Sequence, residues 1–271
     1  MNKKLIKEDF FKKYSFAEDE IEKYNINWDT LSNIYEDFNR YKDTYETQAN
    51  FISNTLRRHS KIHTVKTRVK NGERLIEKII RKTPNRKDKY GEDFEFNLEN
   101  YKEEINDLIG IRAIHIFKQD WEEIHKFILS TWKVIEITAN VREGDNTARF
   151  EELNIEIQSR KSGYRSVHYL IEFYPTSQRV IAEIQVRTIF EEGYGEIDHQ
   201  LRYSHKEIPE VLESNLLLFN RIAGSADEMA SFINLLSKNW NEMECGYKSL
   251  IKEKDEELKY LREKINSLEN K

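Results

Sequence analysis

Cysteine occurs once in 271 residues, as Cys245. One thiol closes no internal disulfide and builds no cysteine-rich zinc site, so a reducing compartment, the cytoplasm, is expected. Proline occurs only three times. No stretch is rich in proline or serine and no internal repeat is visible, so nothing of that kind divides the chain. Long apolar runs are missing as well. Nothing approaches the ~20 residues of a membrane-spanning helix, and the opening MNKKLIKEDFFKKY has lysines but no apolar run of export-signal length. A soluble, unexported protein is expected. Positive charge is not in excess: 44 Lys and Arg stand against 49 Asp and Glu, a formal net charge of −5, which excludes a chain coated with cations for nucleic acid. The G-x-x-x-x-G-K-[ST] phosphate loop and the H-E-x-x-H zinc pair are absent. Gly193-Tyr194-Gly195 lacks the third glycine and the helix start of a dinucleotide fingerprint. Any nucleotide bound here is therefore held by side chains.

What is present suffices for a core, with 38% hydrophobic and 12% aromatic residues in a length that suits one substantial domain plus helical additions. Leu31, Ile34, Tyr35, Phe38, Tyr41, Tyr45, Ile52 and Leu56 recur at three and four, the period of one long or two shorter amphipathic helices. A further helix is expected over 72–82. The pattern then changes. Residues 108–117 and 167–173 are β-branched and aromatic runs, and 180–187 alternates with period two. Ala182, Ile184 and Val186 point to one face of that strand, and Glu183, Gln185 and Arg187 to the other. Helical signal between Trp121 and Trp132 separates the first strand from the next, and helices return after Ile189. The expected fold class is α/β (α+β), a mixed β-sheet flanked by helices. A helical N-terminal region is placed at 1–60, the sheet domain at 61–205 and a helical C-terminal region at 206–271. In the last, Tyr247, Ile251, Leu258, Leu261, Ile265 and Leu268 fill six of seven consecutive heptad places, with Lys254 the exception. About three heptads suit a helix folded back on its own domain and a self-associating one equally well.

Between residues 57 and 89, thirteen Lys and Arg stand against three Asp and Glu. This local balance of +10 in an acidic chain points to an anionic partner. Arg68, Lys70, Lys78 and Arg81 lie before and along the 72–82 helix, and Lys78 and Arg81 share a face with Arg74. A triphosphate needs such a cluster, because Arg offers its oxygens a planar fork and Lys a point charge. A solvated helix face looks the same. Asp107, just before one strand, and Glu183, inside another, sit among apolar residues. A carboxylate buried there must pair with a cation or bind a metal, and magnesium favours one or two carboxylates plus substrate phosphates. On spacing alone, ion pairs of Asp107 with Arg112 and of Glu183 with Arg187 account for them as well.

Read as words, these residues are more specific. Arg68-Val69-Lys70, DLIGIR at 107–112, SGYRSVHY at 162–169, EIQVRT at 183–188 and Glu196-Ile197-Asp198-His199 follow one another with the spacing found in the RelA/SpoT nucleotidyltransferase family. The chain resembles the stand-alone small alarmone synthetases over roughly residues 62–203. That resemblance implies a pyrophosphokinase that moves the β,γ-pyrophosphate of ATP to the 3′-hydroxyl of GDP or GTP, making (p)ppGpp and releasing AMP. It implies that Arg68, Lys70, Lys78, Arg81 and Arg112 hold ATP, that Asp107 and Glu183 bind Mg²⁺, and that Glu183 also draws the proton from the attacking hydroxyl. Tyr164 would stack on the acceptor base, with Arg160, His168, Gln185 and His199 around its phosphates and edges.

The departures fall mostly on the acceptor side. Arg74 stands where the small synthetases typically have Ser, and Ser159-Arg160 where they have Pro-Lys. Glu192, Tyr194 and Asp198 replace Asn, Trp and Glu. A carboxylate at 192 would repel a nearby acceptor phosphate. Two other readings therefore stay open. One is a toxin-type relative that pyrophosphorylates the 3′ end of tRNA, the basic 57–89 stretch meeting the RNA backbone, with an antitoxin as partner. The other is a nucleotide-binding scaffold without catalysis. A homo-oligomer formed through terminal helices is also implied. None of the seven histidines is followed by Asp, so the hydrolase domain of the family's long members is not expected.

Overall fold

The protein is described here from a computed structural model covering residues 5–269 except 15, 17, 177 and 205–207. The boundary expected at 205–206 and the side chain of Leu268 lie outside the described residues. The elements run α1 (Lys7–Tyr14), α2 (Glu18–Lys23), α3 (Trp28–Arg40), α4 (Lys42–Leu56), β1 (Thr64–Val69), α5 (Gly72–Tyr90), α6 (Tyr101–Glu104), β2 (Ile109–His115), α7 (Trp121–Thr131), β3 (Lys133–Val141), α8 (Ala148–Glu152), β4 (Glu156–Ser159), β5 (Ser166–Phe173), β6 (Val180–Thr188), α9 (Ile189–Ser204) and α10 (Glu210–Glu269). The strands form one mixed sheet in the order β1-β2-β6-β5-β3-β4. The β2–β6 and β3–β4 pairs are parallel and the others antiparallel.

Alternation along the strands divides this sheet into two unlike faces. Ile111 and Ala113 of β2, Ala182, Ile184 and Val186 of β6, Tyr169 and Ile171 of β5 and Ala139 of β3 are all buried. They join the apolar stripes of α4 (Ile52, Leu56), α5 (Leu75, Ile76, Ile79) and α7 (Ile124, Ile128) in one continuous core. Leu31, Ile34 and Phe38 of α3 belong to that core too, so the N-terminal helices are structurally continuous with the sheet. The hydroxyl of Tyr169 fits this apolar layer because Trp121 Nε1 donates to it at 2.9 Å. The opposite face carries Lys66, Arg68, Arg112, Glu183, Gln185, Arg187 and His168, and α9 lies over it.

The expected elements are present with shifted ends. The 31–56 periodicity is two helices, broken at Tyr41. The 72–82 helix runs on to Tyr90 through Pro84, because its buried stripe continues through Thr83 to Lys87, beyond the proline. Asn71 caps its start, accepting from Arg74 N at 3.2 Å. Gly72 is required there because an added Cβ would stand 2.8 Å from the Tyr35 ring. Strands β1, β3 and β4 had not been singled out. β1 and β4 are edge strands, and β3 is exposed over its first half, so none shows a strong alternating signal. No helix among the described residues is long and apolar enough to cross a membrane.

Ile184 is fully buried at the centre of the sheet. Ile184→Ala is expected to lower unfolding free energy by about 2–5 kcal/mol, read from urea unfolding midpoints at constant slope. A loss below about 1 kcal/mol would show that the site collapses around the cavity and that the core is not packed as described.

Candidate active site

The polar face of the sheet is the floor of an open cleft of about 400 Å³. Lys66 and Arg68 of β1, Gly110 and Arg112 of β2, Glu183 and Gln185 of β6, Lys70 and Asp107 from the adjoining turns, and Glu196 and His199 of α9 line it. Strand register brings these residues together. Arg68 lies opposite Gly110, Gly110 opposite Glu183 and Arg112 opposite Gln185, and His168 opposite Gln185 on the far side. Gly110 has no side chain to fill the middle of the floor. A larger hollow of about 520 Å³ lies at the ends of β2 and β6, walled by Trp121, Phe150 and Arg165. Asp107 and Glu183 do not line it, so convergent chemistry rather than size selects the first cleft.

Asp107 sits in the turn before β2. The backbone N–H of Lys70 donates to Leu108 O at 3.0 Å, which extends the β1–β2 ladder and places the two side chains side by side. Lys70 Nζ donates to Asp107 Oδ2 at 2.7 Å, and Lys78 Nζ reaches the same oxygen from α5 at 2.8 Å. Burial pushes the Asp107 carboxyl up, but the two ammonium groups outweigh it and hold the pKa at about 2. Burial also lowers the pKa of Lys70, partly opposed by Asp107. The other carboxylate oxygen, Oδ1, is buried with no hydrogen-bond partner.

Glu183 is held differently. His168 Nδ1 lies 3.2 Å from Oε1, and Gln185 Nε2 donates to Oε2 at 2.6 Å. Burial raises its pKa and repulsion from Asp107 adds to that, yet the contacts with His168 and Gln185 leave it below the usual glutamate range. Behind it runs a relay of polar contacts. His168 Nε2 is 3.1 Å from Tyr164 Oη, and Arg187 donates to that same oxygen and to Gln185 Oε1, each at 2.5 Å. The Arg187 guanidinium lies 5.0 Å from the Tyr164 ring centroid. Tyr164 is aimed by Gly163, whose φ of +75° few other residues adopt; Asn220 of α10 donates to the Gly163 carbonyl at 2.8 Å.

The ion pairs that spacing suggested, Asp107 with Arg112 and Glu183 with Arg187, are not formed. Each arginine turns instead to Glu192, which is buried on α9. Arg187 lies 3.1 Å from its Oε2, and Arg112 and Lys66 lie 3.2 and 3.0 Å from its Oε1. Arg112 also pairs with Glu196. A capping box aims α9 in this direction: Glu191 N donates to Thr188 Oγ1 at 3.1 Å and Thr188 N to Glu191 Oε2 at 2.8 Å. The charge that seemed set to repel an acceptor phosphate is thus compensated by three cations.

Of the twelve residues singled out in the sequence, Arg68, Lys70, Asp107, Arg112, Glu183, Gln185 and His199 line the cleft. Lys78 grips Asp107, and His168 and Tyr164 back Glu183. Arg81 and Arg160 stand outside the lining. Arg81 is 3.9 Å from Glu77 and largely exposed, and Arg160 donates to Asn140 and Gln158 at 2.5 and 2.6 Å. Lys66 was not singled out, and Glu196 entered only as part of a motif, without a role. The spacing of Glu192, Glu196 and His199 at i, i+4 and i+7 on one helix face was the available signal.

Comparison with known proteins agrees with this geometry. Residues 67–208 match the family model described as the region found in RelA/SpoT proteins, more than half of the chain, and the chain belongs to that family. Among individual relatives, it is 29% identical to GTP pyrophosphokinase YwaC of Bacillus subtilis (strain 168), over 74% of this chain and 91% of that protein. Its fold is similar to small alarmone synthetase 1 from Bacillus subtilis, with TM-score 0.59 at 22% identity, covering 75% of this chain and 99% of the other. The same synthetase bound to its product pppGpp matches with TM-score 0.57 at 22% identity, covering 73% and 97%.

The Asp107 pKa gives a sign-definite test. Its folded value, about 2, lies below the ordinary 3.8, so its contribution to stability is present above about pH 4 and is lost as pH falls towards 2. At 1.36 kcal/mol per unit that contribution is on the order of 2 kcal/mol at neutral pH. Lys70→Met removes one of its two cations. The Asp107 pKa should then rise by at least about a unit in a carboxyl NMR titration, moving the acid-side loss to higher pH. An unmoved titration would mean that Lys70 does not hold Asp107.

Proposed function

We propose that this chain transfers the β,γ-pyrophosphate of ATP to the 3′-hydroxyl of GDP or GTP, producing (p)ppGpp and releasing AMP. The observation that carries the reading is the meeting of Asp107 and Glu183 in one cleft with Arg68, Lys70, Lys78 and Arg112, in a member of the RelA/SpoT family. YwaC, by its name a GTP pyrophosphokinase, and the pppGpp-bound synthetase support the acceptor.

In this reading the synthetase unit spans residues 61–205, between helical regions at 1–60 and 206–271. Arg68, Lys70, Lys78, Arg81 and Arg112 serve ATP; Arg160, Tyr164, His168, Gln185 and His199 serve the acceptor nucleotide. The family generally uses a divalent metal, and the residues fit one. Asp107 Oδ1 is buried without a partner, and Glu183 lines the same cleft. Among the described residues no group of three or more His, Cys, Asp or Glu gathers around a common point, so the two carboxylates would share Mg²⁺ with substrate phosphates. Bound there, Mg²⁺ supplies charge stabilisation for the pyrophosphoryl group.

The remaining work belongs to the side chains. The cations neutralise phosphate charge and align the β-phosphorus with the attacking hydroxyl, and alignment supplies much of the barrier reduction in such transfers. Arg112 must exchange Glu192 and Glu196 for phosphate oxygens. Glu183 can accept the hydroxyl proton, and its lowered pKa suits metal binding better than strong basicity. Tyr164 offers the acceptor base a stacking face, worth about 1–3 kcal/mol per base, on the side away from Arg187.

Incubating purified protein with β,γ-labelled ATP, Mg²⁺ and GDP or GTP should place label in a guanosine product. Asp107→Asn and Glu183→Gln should each lower the rate by about 100-fold or more with the fold retained by circular dichroism. Label appearing only in deacylated tRNA, and lost when the terminal adenosine is removed, would replace the acceptor. No label in any acceptor would defeat the reading.

A further inference from the structure

Glu192 is buried beside the cleft, and the chemistry above gives it no task. Its three cations do not depend on it equally. Lys66 has a side chain 55% exposed, so water can solvate its ammonium group. Arg112 has a second carboxylate in Glu196. Arg187 has neither. Its side chain is 3% exposed, and among the described residues it forms an ion pair with no carboxylate other than Glu192. That contact is coulombic rather than an aligned hydrogen bond, since Glu192 Oε2 accepts none. A buried guanidinium stripped of its counterion is costly. The loss of Glu192 would therefore fall on Arg187 first.

α9 is shaped to receive this guanidinium. Glu192 and Gly195 lie at i and i+3 on one helix face. A Cβ at Gly195 would stand 2.9 Å from Arg187 Nη1 and 3.8 Å from Tyr164 Cε2. The helix thus gives Arg187 room at one position and a negative charge at the other. Arg187 passes the constraint on. Its Nη2 donates to Tyr164 Oη and to Gln185 Oε1, and its guanidinium lies 5.0 Å from the Tyr164 ring centroid, within cation–π range. The ring is held at its hydroxyl and backed on one side.

We propose that Glu192 is a positioning residue for the acceptor, holding Arg187 against Tyr164 and so fixing the ring on which the acceptor base stacks. The assignment rests on the acceptor reading given above and adds a residue to it. A carboxylate that touched guanine directly would accept from the protons of its N1 and 2-amino groups and so read the base. One that acts through a tyrosine face is indifferent to the 2-amino group, because every base has a π-face. Glu192 is built for the second role. Its side chain is 7% exposed, its oxygens face the three cations, and it is not among the residues that line the cleft.

The test is steady-state kinetics on the full chain, with each substrate varied in turn. Glu192→Gln should raise KM for GDP on the order of tenfold, the scale of a weakened stacking contact. The same factor should appear with inosine diphosphate, which lacks the 2-amino group. The change in kcat should be the smaller one, because what is lost is binding common to ground and transition states. KM for ATP should stay level or fall, since Arg112 then has one carboxylate to leave instead of two. Arg187→Met should reproduce the rise for GDP, and Glu192→Gln added to Arg187→Met should raise it no further, because the two residues act as one unit. That comparison stands even where Glu192→Gln alone unfolds, since removing both members of a buried pair is milder than removing one. Thermal unfolding reports which variants are folded. An unmoved KM for GDP in folded Glu192→Gln, a rise seen with GDP and not with inosine diphosphate, an equal rise for ATP, or a further rise in the double variant would each overturn the assignment and leave the transfer reaction in place. An unsubstituted chain that passes no pyrophosphate to GDP or GTP would instead remove the acceptor reading, and this assignment with it.

Discussion

The parallel pairing of β2 with β6, flanked by antiparallel β5, is the constraint on which the rest of the molecule depends. Side chains alternate along a strand, so the register that sets Gly110 opposite Glu183 also sets Ile111 opposite Ile184. Every charged residue on the cleft floor therefore has an apolar neighbour in the core beneath it. A slip by one residue would drive Glu183 and Arg112 into the apolar layer and expose Ile184. Burial of that layer against α4, α5 and α7 is thus what holds the polar constellation in place.

Once the floor is set, electrostatics sorts its charges into two groups. Lys70 and Lys78 converge on a single oxygen of Asp107 and leave the other without a protein partner. On the opposite side Glu192 gathers Lys66, Arg112 and Arg187. Buried charges persist only when paired, and each group is paired without neutralising the other. The cleft keeps an under-coordinated carboxylate beside a reserve of arginine held by glutamates. The guanidinium of Arg112 is held in the cleft by Glu192 and Glu196.

The helices that follow the sheet link this site to the rest of the chain. The Thr188–Glu191 capping box turns β6 directly into α9, which fixes where Glu192, Glu196 and His199 fall over the cleft. Thr188 Oγ1 also donates to Asp227 of α10 at 2.9 Å, and Asn220 of the same helix holds the loop that aims Tyr164. Burial and the charge of Glu191 raise the Asp227 pKa to about 7. The base of the long helix is therefore part of the framework that holds Tyr164 in place.

The core strands β2, β5 and β6 and the helices α3, α4, α5 and α7 were legible in the sequence because burial of one face imposes a period that composition reveals. The strands with little buried surface were not, since an edge strand such as β1 shows no clean alternation. The candidate residues were legible as motifs, and the alternation of 180–187 alone put Glu183 and Gln185 on one face. Their partners were not. Sequence spacing paired Asp107 with Arg112 and Glu183 with Arg187, whereas folding gave Asp107 two lysines, Glu183 a histidine and a glutamine, and both arginines to Glu192. Local order along the chain, through side-chain period and helix capping, was decided by the sequence itself. The choice among equally charged partners was left to tertiary structure, because an ion pair depends on distances of a few ångströms between residues that lie as much as 126 positions apart in the chain.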